Sequence, residues 1–129
     1  MANQFVVQLK NEPGAMANLA EALAARGVDL RAIGGGGIGD SGHVIMTTAD
    51  DATTKQILDE GGYTYIEGES ILAEVDDRPG GMAAMSRQLA DAGVNIYGHL
   101  FLGRWGDRAM FAFVVDRPEV ARPILERKG

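Results

Sequence analysis

Two stretches of this chain carry the same kind of residues in the same order, 66 positions apart. Asn11-Glu12-Pro13-Gly14-Ala15-Met16 answers to Asp77-Arg78-Pro79-Gly80-Gly81-Met82. The same offset pairs Ala17 with Ala83, Leu23 with Leu89, Gly27-Val28 with Gly93-Val94, Gly37 with Gly103 and Asp50 with Asp116. An ungapped register held over so many positions implies two copies of one supersecondary unit, each with the same loop ahead of its first helix. It divides the 129 residues into a first domain at 1–68 and a second at 69–129, joined at Glu67-Gly68-Glu69. A lone unit of roughly 65 residues buries a limited core, so the copies are expected to pack on each other or on a second chain.

In the first copy, Phe5-Val6-Val7-Gln8-Leu9 reads as a short buried strand. Met16, Leu19, Ala20 and Leu23 recur at helical spacing, and Gly27 ends that helix. Val28 to Ile33 alternates like a half-buried strand. Gly34 to Gly42 holds six glycines in nine positions and is expected to turn the chain before a returning strand at His43–Thr47. Asp50 is expected to cap a second helix running to about Glu60, with a final strand at Tyr63–Ile66. The second copy repeats the order. Its strand is Ser70–Val75, and its helix stripe is Met82, Met85, Ser86 and Leu89, closed by Gly93. A hairpin of Val94–Leu102 and Met110–Val115 turns about Gly106-Asp107. Asp116 is expected to cap a last helix that has Pro118 in its first turn and is kinked or delayed by Pro123. The predicted fold class is α+β: two tandem ferredoxin-like βαββαβ units with antiparallel sheets. The offset carries Tyr63 to Gly129, so the second unit is expected to lack its fourth strand and leave an unpaired edge.

A net charge of −6 argues against a nucleic-acid partner or an anionic membrane surface, both of which call for a basic patch. The chain has no cysteine, so thiol chemistry is absent. It shows no signal pattern and no apolar run of membrane length, and a cytoplasmic protein is expected. Gly34 to Gly39 spells a dinucleotide-type glycine motif, but a strand follows it instead of a helix. His43 and His99 stand at non-equivalent strand positions without partners, although His99 is a minor site candidate. The acidic pairs Asp50-Asp51 and Asp76-Asp77 lack the further oxygens a cation needs. Neither a catalytic set, a metal site nor a cofactor motif is legible.

A strand ending in Asn or Asp, then x-Pro-Gly, an apolar helix, Gly-Val-(Asp/Asn)-(Leu/Ile) and a hairpin resembles the ACT domain, a ferredoxin-like amino-acid-sensing module. The resemblance covers nearly the whole chain as a tandem pair and is closer in the second copy. It implies that an effector sits between two such domains, touching this loop and a neighbour's second strand. Carried over, the ligand-binding residues are Asn11, Glu12, Pro13, Gly14, Ala15 and Met16, then Asp77, Arg78, Pro79, Gly80, Gly81 and Met82, with Asn95 and Ile96 on the second strand. The physical chemistry agrees. A helix start offers unpaired N–H groups and a positive dipole end to a carboxylate. Glycines let a ligand approach the backbone, and Asn11 or Asp77 can meet an α-amino group. With Gly81 where the first copy has Ala15, the second loop reads as slightly the more open. The other interpretation is that Pro-Gly is turn chemistry and that Asn11 and Asp77 only bond their own turns.

The function expected is a non-catalytic regulatory protein. It binds a small-molecule effector, a free amino acid, forms a homo-oligomer and acts on a partner enzyme in trans. The alternative is a purely structural oligomerisation module with no ligand.

Overall fold

The computed structural model describes residues 3–126. The chain divides into two compact units, Ala2–Gly68 and Glu69–Gly129. Its elements are β1 (Asn3–Lys10), α1 (Ala15–Ala25), β2 (Leu30–Ile38), β3 (Ser41–Thr48), α2 (Asp51–Glu60), β4 (Tyr65–Glu69), β5 (Ile71–Asp76), α3 (Gly81–Asp91), β6 (Ile96–Trp105), β7 (Arg108–Val115) and α4 (Pro118–Leu125).

In the first unit the sheet order is β2-β3-β1-β4, and β3 runs antiparallel to both β1 and β2. This is the strand order of a ferredoxin-like unit. Its core joins Phe5, Val7, Val44 and Met46 from the sheet to Leu19 and Leu23 of α1 and Ile57 and Leu58 of α2. Residues that face each other across antiparallel strands share a side of the sheet. Register therefore places Ile33, Gly35 and Gly37 of β2, Gly42, Val44 and Met46 of β3, and Phe5, Val7 and Leu9 of β1 on the helix-covered face.

In the second unit the order is β5-β7-β6, with Ile71, Ala73, Phe113 and Val115 packed on Leu89 of α3 and on Ala121 and Leu125 of α4. Among the described residues no strand pairs with the outer edge of β5. In the first unit β4 fills the equivalent place beside β1, where the Gln8 backbone N–H donates to the Thr64 carbonyl at 2.9 Å.

Several expectations need correction. The glycine run is not a turn. Gly34 to Gly37 continue β2, paired residue for residue with β3, and only Gly39-Asp40 reverses the chain. Glycine's low strand propensity is overridden because the run keeps its antiparallel pairing with β3, which takes up the inward-facing backbone groups. The two copies are also not in one ungapped register. Both have a bulge early in the second strand, at Arg31 and at Tyr97. Strand β6 has a further one, because Phe101 faces Phe111 and Gly103 faces Met110, leaving Leu102 as an extra residue. Beyond Leu102 the offset is 67. Gly103 then corresponds to Gly36, Arg104 to Gly37, and Arg117 to Asp50.

For that reason Asp116 does not cap α4. The capping position is Arg117, which makes no side-chain cap bond. The Asp116 carboxylate instead accepts from the Asn95 backbone N–H at 2.9 Å. Asp50 does cap α2, its Oδ1 accepting from the Thr53 N–H at 3.0 Å. A bond from the Thr53 hydroxyl to the same carboxylate, together with that backbone bond, holds the Asp50 pKa below its ordinary value. Pro118 occupies the first turn of α4 as expected, and the helix continues two residues past Pro123. Strand β6 starts at Ile96, not Val94, and β4 starts at Tyr65, not Tyr63.

Candidate functional site

Both Pro-Gly loops fold alike. The Glu12 N–H donates to the Lys10 carbonyl and the Ala15 N–H to the Glu12 carbonyl, while Arg78 to Asp76 and Gly81 to Arg78 repeat the pattern. Gly14 and Gly80 are the helix N-caps, each with φ of 90°, a conformation that only glycine adopts readily. Neither helix has a side-chain cap bond, so the loop leaves first-turn N–H groups uncapped by side chains.

The two loops differ in what lies beside them. Next to the first loop is a cavity of about 360 Å³. Asn11, Glu12, Ala15 and Met16 line it together with Leu9, Ile33, Val44 and the backbone of Gly34–Gly36. The cause is local. At the end of this sheet the helix-side positions beside Leu9 and Val44 are Gly42, Gly37 and Gly35, which present no side chains. None can be enlarged freely. A Cβ at Gly35 would run into the His43 carbonyl oxygen and stand 3.1 Å from Val44 Cα, and one at Gly37 would stand 2.6 Å from Asn11 Cγ. A second cavity of about 460 Å³ adjoins the first across Lys10 and Glu12, and continues to Asp40, Tyr63 and Thr64.

In the second unit the corresponding positions carry bulk and charge. Phe101 stands where Gly35 does and Phe111 where Val44 does, with ring centres 5.5 Å apart in an edge-on contact. Arg104 replaces Gly37, with its guanidinium 4.8 Å from the Phe101 ring centre. Gly81 is buried, and a Cβ there would run into the Asp76 carbonyl oxygen. Its missing side chain therefore serves the close packing of the start of α3 against the end of β5, not the approach of a ligand. Arg78 and Gly81 line a smaller cavity of about 160 Å³ with Asp76, Met85 and Arg108. The acidic residues there are engaged: Asp77 with Arg104 at 2.8 Å, and Asp76 with Arg78 at 3.2 Å and with Arg108.

Among the predicted residues, then, the structure gathers Asn11, Glu12, Ala15 and Met16 around one cavity. Pro13 and Pro79 are exposed loop residues. Met82 packs on the second core as a helix residue. Asn95 and Ile96 stand at the start of β6, whereas the Asp77–Met82 loop lies near its end, so their own unit does not bring them together. Ile96 packs on the core. Ile33 and the glycines at 34–36 were missed as lining residues. The alternation of Val28 to Ile33, followed by a stretch without side chains, was the available signal. His99 leans on the Phe113 ring at 6.4 Å. Among the described residues no three His, Asp or Glu side chains converge as a metal site, and no helix is long and apolar enough to cross a membrane.

Strand order and helix placement define the class: an α+β, ACT-like fold built of two ferredoxin-like units. Solved structures share it. Protein BT0572 from Bacteroides thetaiotaomicron matches with a TM-score of 0.72 at 18% identity, over 97% of this chain and 86% of that one. The regulatory subunit of aspartate kinase from Thermus flavus matches with a TM-score of 0.67 at 18% identity, over 98% and 92%. The ligand-free regulatory subunit of aspartate kinase from Thermus thermophilus gives 0.60 at 20% identity, over 97% and 89%. At such identities the likeness is one of fold. No protein-family model matches the sequence, and no curated protein does.

Proposed function

We propose that this chain is a non-catalytic regulatory protein that binds a free amino acid in its first unit and acts on a partner in trans. The observation carrying this is the 360 Å³ cavity beside the Asn11–Met16 loop, where the same place in the second unit holds Phe101, Phe111 and Arg104. Cavities of this size suit small ligands. The uncapped start of α1 suits a carboxylate, and Glu12 suits an ammonium group. The fold shared with aspartate kinase regulatory subunits supports a regulatory role. Regulation would work by linkage, with bound ligand favouring one arrangement of the protein over another. The second loop, with its carboxylates paired to arginines, serves structure.

Thermal melting against the twenty amino acids at millimolar concentration tests this. A ligand at one hundred times its Kd adds about 2.7 kcal/mol of stability. Ala15→Phe, which crowds a residue lining both cavities of the first unit, is expected to abolish the shift. No shift with any amino acid would count against the proposal.

One observation favours the alternative of an assembly module. In the second unit Tyr97, Phe101 and Trp105 of the edge strand β6 are 46%, 49% and 61% exposed, large apolar groups of the kind that mark an interaction surface, with Phe101 on the helix-covered face and Trp105, past the bulge at Leu102, on the other. Homo-oligomerisation through this edge strand is compatible with amino-acid binding in the first unit. Light scattering of wild type and Trp105→Glu decides whether it occurs.

A further inference from the structure

The cavity of the first unit has a divided wall. One side is hydrocarbon: Leu9, Ile33 and Val44 from three neighbouring strands, and Ala15 and Met16 from the helix. By register Leu9, Ile33 and Val44 share one sheet face, so they form a continuous apolar side. Ile33 is 46% exposed and Met16 40%, and this uncovered apolar area borders the cavity. Of the polar residues along it, Asn11 and Glu12 come from the loop after β1, whereas Lys10 and His43 belong by register to the opposite face of the sheet. Of these the Asn11 amide is already committed, donating to the Gly39 carbonyl at 2.9 Å. Lys10 and Glu12 form no ion pair within 4.0 Å among the described residues. On the cavity's own face this leaves the Glu12 carboxylate for a ligand's ammonium group and the uncapped start of α1 for its carboxylate.

We infer that the ligand of this cavity is a free amino acid with an aliphatic side chain, its charged end toward Glu12 and the start of α1 and its side chain against Leu9, Met16, Ile33 and Val44. This rests on the amino-acid function proposed above and adds the class of side chain. Ile33 is the specificity-determining residue. A lysine or aspartate side chain would bring an uncompensated charge against hydrocarbon, which is unfavourable. Valine and threonine have nearly the same shape, but threonine would bury a hydroxyl without a partner.

Titration calorimetry of the whole chain with alanine, 2-aminobutyrate, norvaline and norleucine tests the inference. Each added methylene is expected to tighten binding about fourfold, and valine is expected to bind about a hundredfold tighter than threonine. In Ile33→Ala, a change at a half-exposed position that thermal melting should show to be folded, the gain per methylene is expected to fall. Binding of polar or charged amino acids without the methylene trend overturns the aliphatic class and leaves amino-acid binding standing. A methylene trend indifferent to Ile33→Ala overturns the placement in this cavity. No binding by any amino acid overturns both this inference and the function it rests on.

Discussion

Arg104 donates from Nε to Asp77 Oδ2 at 2.8 Å. Once the extra residue at Leu102 is counted, the same two positions in the first unit are Gly37 and Asn11. There the glycine leaves room for the amide of Asn11 to lie over it, and that amide donates to Gly39. One pair of positions thus holds an ion pair in one unit and a backbone-bound amide in the other. The ion pair is largely solvated, with Arg104 63% and Asp77 32% exposed on their side chains. Arg104→Ala is expected to cost no more than about 1 kcal/mol, and less at high salt. Urea unfolding at low and high salt measures both. A loss of several kcal/mol would mean that the pair is buried by something not seen within this unit.

Adjacent glycines in β2 should behave oppositely. Gly35→Ala pushes a methyl group into the His43 carbonyl and is expected to destabilise by about 1–3 kcal/mol. Gly36→Ala meets nothing within 4 Å and is expected to be neutral or to stabilise by about 0.5–1 kcal/mol through reduced chain entropy. Thermal melting of the two variants ranks them. The reverse order would contradict the strand register described here.

A similar contrast separates the two helix starts. Gly81→Ala is expected to destabilise by about 1–3 kcal/mol, because the Asp76 carbonyl occupies the space the methyl would need. Ala15→Gly, at the corresponding place in the first unit, adds no atoms and should cost about 1 kcal/mol or less in helix propensity. Both effects should be present without any ligand. An effect of Gly81→Ala seen only with added amino acid would restore the second loop as a binding site.

Two side chains give the stability a pH signature. The Tyr65 hydroxyl donates to Asp59 Oδ1 at 2.6 Å. This bond, helped by burial and by the nearby carboxylates, pushes the Tyr65 pKa up from 10.0 to about 12. A pKa raised in the folded state stabilises fully below 10 and loses that contribution between 10 and 12. Asp50, lowered from 3.8 by its bonds to Thr53, contributes in full above 3.8 and loses its contribution as pH falls below that. Melting curves should show the alkaline loss vanish in Tyr65→Phe and the acid loss shrink in Asp50→Asn. Unchanged profiles in both variants would refute these assignments.

The repeated order of strands and helices could be read from periodicity and from glycine and proline placement, because burial imposes those patterns directly. Two misreadings share a cause. The run at Gly34–Gly37 has no side chains, so nothing local announces a strand, and only its pairing with β3 makes it one. The assignment of Asp116 as a cap relied on a constant offset, and a bulged residue is invisible until strands are laid side by side. The cavity was hidden for a related reason. It arises where the β2–β3 pairing sets Gly35, Gly37 and Gly42 on one face beside Leu9 of β1. Asn11, Glu12, Ala15 and Met16 were legible from the loop motif, whereas Ile33 needed the register.

The extra residue at Leu102 also sets a rule for exchanging parts between the halves. Within β6, residues before the bulge correspond to the first unit at one offset and residues after it at another. A chimera that replaces all of Leu30–Thr48 with Ile96–Val115 imports the bulge together with its own partner strand, and the pairing survives intact. A graft cut at Gly103 and spliced at the older offset arrives one step out of phase. Every transplanted side chain would then point to the wrong side of the sheet, polar groups inward and apolar groups to water.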